Sequence, residues 1–511
     1  MKKKKQPLFT ASCGLMFFTF LVLIGVCFVY FFWYEKSAMK FFYTKPKPHT
    51  IVVEPKDNLR VILENVKNST VIQLKQGKYV GNFQLKNREN IEIVGVEGAF
   101  LTAVRGSTLL LQDCTKCKIR NLVLHTEDKQ QPAFSIIKST DLQVQKLRIQ
   151  GSTVIQAGSD RLNFSEIGTT EQIKIVQTNV ALITKCNFQT QKNIALLVEQ
   201  STEISIANNI IQGVQFSKVT GEKNNMIVNN HISGTTKGIF GKESQNIYCL
   251  NNNITTDNGD AIFLLNCRNC TIGEKQDENR ENNKIKAKNG YACAISGCNT
   301  ITIQQNALLN QDPEKKCLYI LASRNIQIDN NSIIGTPLYD EQGEMKELSG
   351  GGVQIASSRD ITFSENDIAN SMLGVRIEKE TKGMFKNNKV YQNIGNGFEI
   401  ENSEITLQEN VIRQNINGVQ WKNSQGSMTQ NIIQENKNDG VIFEKSTAEI
   451  RENNINHNMN NGISLNKNSL PIIENNKIHK NQGFGIAFFQ PNKMEYKKND
   501  FLENVKGAIS N

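Results

Sequence analysis

Residues 388–421 read NKVYQNIGNGFEIENSEITLQENVIRQNINGVQW, and the order of residue types inside this stretch repeats. An Asn followed two residues later by a branched apolar residue opens it at Asn388/Val390 and returns at Asn410/Ile412. A Gly leading an alternating apolar pair occurs before Phe398/Ile400 and again before Val419/Trp421. Moving outward, the Asn motif continues through Asn366/Ile368, Asn431/Ile433, Asn453/Ile455 and Asn476/Ile478, at spacings of 22, 22, 21, 22 and 23 residues. The Gly motif keeps phase through Gly374, Gly397, Gly418, Gly440, Gly462 and Gly485. Asn209, Asn230, Asn252, Asn283, Asn306 and Asn331 carry the pattern upstream, with gaps of 31 residues after Asn252 and 35 after Asn331 that mark protruding insertions near 273–280 and 335–350.

A period near 22 with two or three alternating runs per unit is too short for paired helices and suits one turn of a strand solenoid. Alternation at period two puts the paired apolar residues on one face and leaves the polar residues between them pointing outward. Turns stacked at strand spacing, roughly 4.8 Å, bring like residues into columns, where buried amides satisfy one another. The Gly column is expected to supply backbone freedom at the corner before each strand. At this period the 461 residues from 51 to 511 make on the order of 20 turns. Asp57 to Ile91, with Gly77, Tyr79, Gly81 and Asn82, is the candidate cap and first turns.

The N-terminal end is different in kind. Lys2 to Lys5 precede a nearly uncharged stretch from Leu8 to Trp33 that is long enough to span a bilayer. The lysines favour a cytoplasmic N-terminus, the aromatic cluster Tyr30 to Tyr34 suits the far interface, and no small-x-small cleavage site follows. Cys27 follows Ile24, Gly25 and Val26, which makes a poor lipoprotein site. The expected organisation is a cytoplasmic tail (1–7), a transmembrane signal anchor in contact with lipid (8–34), a linker with Pro46 and Pro48 (35–50), and an extracytoplasmic solenoid (51–511). Residues 1–47 hold eight Lys and one Glu, +7 of the formal +10, so the rest of the chain carries only +3. A nearly neutral repeat domain argues against a nucleic-acid partner.

Eleven Cys include the CxxC pairs Cys114/Cys117 and Cys267/Cys270. The register offers a packing explanation in place of zinc or redox chemistry: the turn slot holding Ser323, Ser358, Ser403, Ser424 and Ser446 holds Cys114, Cys267 and Cys298 on other turns. No metal site is therefore expected there. The five His are scattered, and His231 is expected on a turn beside Asn230.

The outward positions of the Gly-led strands form two columns. One runs Phe263, Ala294, Tyr319, Gln354, Arg376, Glu399, Gln420; the other runs Leu265, Ser296, Leu321, Ala356, Glu378, Glu401, Lys422. Arg376, Glu378, Glu399 and Glu401 are the candidate catalytic groups, because neighbouring carboxylates can be driven apart in pKa for acid and base work on a glycosidic bond. Tyr319, Gln354, Gln420 and Lys422 are the candidate substrate contacts. Ordinary cross-strand charge pairs are the structural alternative. A second candidate is the turn Asp257-Asn258-Gly259-Asp260, where Asp257 and Asp260 could act on a sugar or take a calcium ion as cofactor; such a turn is also simply good turn chemistry.

With its NNxI and GxxI spacing and the opening TVIQLKQGKYVGNFQLKNRENIEIVG at 70–95, the chain resembles the right-handed parallel β-helix repeat family from about residue 51 onward. That family includes carbohydrate-binding and sugar-hydrolysing domains, pectin lyases, polygalacturonases, mannuronan C5-epimerases and the copper-delivery accessory protein of nitrous oxide reductase. The resemblance implies an all-β, single-stranded right-handed parallel β-helix and a polysaccharide partner that is bound and modified by lyase, hydrolase or epimerase chemistry. A non-catalytic scaffold or adhesin is the alternative. Two signatures differ: the epimerase Asp-Pro-His stands here as Asp312-Pro313-Glu314, and the polygalacturonase Gly-Asp-Asp as Gly259-Asp260-Ala261, with no Gly-His-Gly anywhere.

Overall fold

The computed structural model describes residues 48–156, 158–220, 224–274, 282–339, 345–348, 350–466, 468–488 and 496–510. Residues 50–511 form one compact unit. The expected tail, anchor and linker from residue 1 to 47 lie outside the described residues, and among the described residues no helix is long and apolar enough to cross a membrane.

This unit is a parallel solenoid of about 19 turns with about 23 residues per turn. Each regular turn contributes three short strands, as Val411–Arg413, Val419–Lys422 and Gln425–Thr429 do. Each strand pairs in parallel with its counterparts one turn below and one above, Val411–Arg413 with Lys389–Tyr391 and Ile432–Gln434 for instance. Three faces result, named here for the column that precedes them: the Asn face, the Gly face and the Ser face. On two early turns the Ser and Asn faces fuse, in the long strands Lys118–Thr126 and Gln143–Gln150, which pair along both ladders. Both strands bend at a residue with positive φ, Asn121 at 56° and Lys146 at 53°.

The inward residues are those the alternation selects. Val390, Ile412, Ile433, Phe398, Ile400, Val419 and Trp421 are all fully buried. At the N-terminal end the helix Leu59–Asn65 buries Leu59 and Leu63, and Asn58 accepts the Val61 N–H at its start. Tyr79 is buried there too and donates its hydroxyl to the Val53 carbonyl, 2.8 Å away.

The Asn column behaves as its spacing implies. Asn410 donates Nδ2–H to the Phe385 carbonyl (2.8 Å) and to Asn431 Oδ1 (3.0 Å), while its own Oδ1 accepts from the backbone N–H and the side chain of Asn388 at 3.0 and 2.9 Å. The same contacts run from Asn209 to Asn499. A second buried Asn column stands at the next corner: Asn393, Asn415, Asn436, Asn458 and Asn481 donate in series, ending on Asn504. In the third corner the Cys298 thiol accepts the Cys267 N–H, Ser323 accepts from Cys298, and Ser358 accepts from Ser323. Sulfur and hydroxyl are thus interchangeable acceptors for a corner N–H, which accounts for the Cys/Ser alternation by packing. All nine described cysteines are free and buried.

The Gly column is there for space rather than for backbone freedom, which corrects the expectation. Gly374, Gly397, Gly418, Gly440, Gly462 and Gly485 are absent from the residues with positive φ. A Cβ at Gly418 would stand 2.4 Å from the Gly440 carbonyl oxygen and 2.6 Å from Ile433 Cγ2. The left-handed backbone falls on other residues, one per corner, as at Gln414, Asn423 and Gln430 with φ of 57°, 47° and 56°. Of the insertions, 335–350 contains an antiparallel pair, Pro337–Tyr339 with Met345–Leu348; most of 273–280 lies outside the described residues. His231 lies exposed on the strand His231–Gly234, not on a turn.

Candidate functional site: the outer side of the Gly face

The outward column of the Gly face is continuous. Phe240, Phe263, Ala294, Tyr319, Gln354, Arg376, Glu399 and Gln420 are successive parallel partners, one per turn. At strand spacing these eight turns cover roughly 34 Å. Along one side runs the corner between the Asn and Gly faces, which adds the residues just before each strand.

In the upper half Arg376, Glu378, Glu399, Glu401, Gln354, Gln420 and Lys422 come together as the sequence implies. The Arg376 Nε is 3.0 Å from Glu378 Oε2 and a second guanidinium nitrogen is 3.9 Å from Glu401. Glu378 also faces Lys379 (3.6 Å) and accepts from Gln354 Nε2 (3.0 Å), and is only 8% exposed. Lys422 stands 3.8 Å from Glu399, and Gln420 accepts from Asn396. Each carboxylate has a cation beside it, so the arrangement is one of cross-strand ion pairs and not of carboxylates crowding one another. The corner beside this half is apolar and exposed: Met372, Ile394 and Ile416 occupy the same position on three successive turns.

The lower half is built largely from residues that sequence reasoning passed over. The rings of Phe240 and Phe263 stack at 5.5 Å, and those of Tyr291 and Tyr319 at 4.7 Å. Lys237 Nζ lies 3.7 Å from the Phe240 ring centre and Lys315 Nζ 5.3 Å from that of Tyr291, close enough for cation–π attraction. Asp260 Oδ1 accepts the Tyr291 N–H at 2.9 Å. Burial pushes the Asp260 carboxyl above the usual range, against that hydrogen bond and the charges of Lys237 and Lys315. Burial also holds the Lys316 amine below its usual value, helped by the charge of Arg376. Phe240 continues the outward column and could have been found from it; Lys237, Tyr291, Lys315 and Lys316 lie in corners of unequal length, where register gives no signal.

Asp257 and Asp260 are not part of the Arg376 cluster. The strand Ile262–Leu265 is four ladder steps from Val375–Glu378, roughly 19 Å along the axis. Nor do the two aspartates converge on a cation. Asp257 is exposed and pairs with Lys288 at 2.6 Å, while Asp260 lies among ammonium groups, so their surroundings do not fit calcium. Among the described residues no group of three or more His, Cys, Asp or Glu could hold a metal.

Two family models match the chain: a right-handed β-helix region over residues 171–333, and the periplasmic copper-binding protein NosD over residues 324–511. They make the repeat a right-handed β-helix. No curated protein matches the chain in sequence. Similar solved structures include the periplasmic alginate epimerase AlgG, with 10% identity over 88% of this chain and 83% of that one at a TM-score of 0.30. They also include the catalytic domain of a GH87 α-1,3-glucanase, with 13% identity over 75% and 66% at 0.28. The A-module of the mannuronan C-5 epimerase AlgE4 from Azotobacter vinelandii is similar over 89% and 92% at 12% identity and 0.19. These scores carry no inference about activity.

The copper that the NosD name implies finds no matching donor set. In 324–511 there is no Cys, and the two His are His457 and His479, with rings 6.1 Å apart on adjacent turns. His457 Nδ1 and His479 Nε2 are each engaged by an Asn oxygen, of Asn456 and Asn454. Among the described residues these two imidazoles belong to no group of three or more His, Cys, Asp or Glu that could hold a metal.

Proposed function

We propose that the chain binds a linear polysaccharide lengthwise along the outer side of its Gly face, and that Asp260 exchanges a proton with the bound sugar in a lyase, hydrolase or epimerase reaction. The observation that supports this reading most is the in-register stripe from Phe240 to Gln420, aromatic or polar on every turn but that of Ala294. An extended sugar residue is about as long as the spacing of roughly 4.8 Å between turns, so a stretched polymer meets equivalent contacts turn after turn. Burial raises the Asp260 carboxyl above its usual range, the direction that suits a general acid. A scaffold or adhesin that presents the same stripe without turnover is favoured by one fact, the pairing of Glu378, Glu399 and Glu401 with cations, which leaves no free base in the upper half. Residues 8–34 are proposed, on sequence alone, to anchor the chain in a membrane with the solenoid extracytoplasmic.

The test is to expose the purified protein to a glycan panel and follow both retention and new reducing or unsaturated ends. Turnover that is lost in Asp260→Asn, with retention kept, supports the full reading. Retention without product in the parent protein leaves the scaffold. If no glycan is retained, polysaccharide binding is wrong.

A further inference from the structure

Five Asn–Gly steps occur in the chain, at Asn258, Asn289, Asn396, Asn417 and Asn461. Such a step can lose its side-chain amide without an enzyme. The Gly backbone nitrogen gives up its proton and attacks the Asn Cγ, ammonia leaves, and the cyclic imide opens with water to Asp or isoaspartate. The net change is Asn plus water to a carboxylic acid plus ammonia, with no redox partner. A missing Cβ makes the Gly nitrogen accessible, so in a folded chain the rate depends on whether that N–H is free and whether the Asn side chain can swing toward it.

The fold divides the five steps into two groups. The N–H groups of Gly397, Gly418 and Gly462 donate to the carbonyls of Asn417, Asp439 and Phe484 at 2.9, 3.0 and 2.9 Å. Their Asn side chains are tied as well: Asn396 Nδ2 to Gln420, Asn417 Nδ2 to Asn396, and Asn461 Oδ1 to the Phe484 N–H. Attack there requires opening the ladder between turns. Gly259 and Gly290 donate no such backbone hydrogen bond among the described residues, and Asn258 and Asn289 are exposed on stacked turns. Among the described residues one side-chain hydrogen bond joins them, Asn289 Nδ2 donating to Asn258 Oδ1 at 3.0 Å, so the two groups differ in the Gly N–H and in the exposure of the Asn and not in side-chain ties.

We propose that Asn258 and Asn289 are sites of spontaneous deamidation in the folded protein, and that Asn396, Asn417 and Asn461 are protected. Conversion of both sets two carboxylates against each other where a hydrogen bond stood, directly beside Asp260. The isoaspartyl product also adds a methylene to the backbone of the turn that aims Asp260. The lower half of the Gly face would then change with the age of the molecule, whatever it binds.

The full chain is incubated for days in warm, mildly alkaline buffer, with a urea-unfolded sample in parallel, and mapped by peptide mass spectrometry for the one-mass-unit gain and for isoaspartate. The expected result is conversion at Asn258 and Asn289 only in the folded sample, and at all five in the unfolded one. Intact Asn258 and Asn289 in the folded sample would overturn the proposal, and so would conversion of the other three at a comparable rate.

Discussion

At Gly418 one added methyl group separates two explanations of the repeating Gly column. A Gly whose backbone any residue could adopt would be improved by Ala, by about 0.4–1 kcal/mol through the unfolded chain. Here the new Cβ would press on the Gly440 carbonyl oxygen at 2.4 Å. Gly418→Ala is expected to destabilise by about 1–3 kcal/mol, read as a lower urea midpoint. Asp439 gives a second test. It occupies a corner position where Asn396, Asn417 and Asn461 stand on other turns, and burial pushes its carboxyl upward. An acid whose folded pKa is raised gives stability that is complete below its unfolded pKa, about 4, and is lost as pH rises through the folded value. Asp439→Asn should therefore stabilise the protein at neutral pH, with the advantage vanishing toward about pH 4 in denaturation curves taken at several pH values. The residues legible in advance were those with an unmistakable neighbour, Asn388 with Val390 for instance. The second column, Asn393 to Asn481, is as regular but is followed by Ile394, Ile416, Lys437, Met459 and Gln482, so no repeated pair draws attention to it.

At the scale of the ladder, side chains work as links in a chain rather than as separate contacts. Asn388 and Asn410 share two hydrogen bonds, at 3.0 and 2.9 Å, both inside the protein. Removing either leaves buried donors and acceptors unpaired at about 1–3 kcal/mol each, and removing the second then costs less. A double-mutant cycle on Asn388→Ala and Asn410→Ala is expected to show a coupling of about 0.5–3 kcal/mol; strict additivity would mean the column is not one connected network. The outward columns were legible for the same reason that the inward ones were, since alternation fixes both sides of a strand. The corners were not. Between the Asn and Gly faces their length varies from turn to turn, and Tyr291, Lys237 and Lys315 reach the site from them, so these three lay outside any periodic rule.

For the solenoid as a whole, contacts are confined to adjacent turns, which makes stability a sum of local terms. Asn252 and Asn453 have no shared partners. Their Ala substitutions should therefore add to within about 0.5 kcal/mol in equilibrium unfolding, in contrast to the adjacent pair. Deviation beyond that would show an energetic coupling between distant turns that nearest-neighbour contacts do not carry. The left-handed corners bear on this modular character. Because Gln414, Asn423 and Gln430 turn the chain without glycine, bends of this kind carry a side chain that the interior does not dictate. The protein thus has three outer seams on which chemistry can be rewritten turn by turn. Engineering a new ligand preference should begin at those bends, where a substitution alters what the molecule meets and leaves what holds it together untouched.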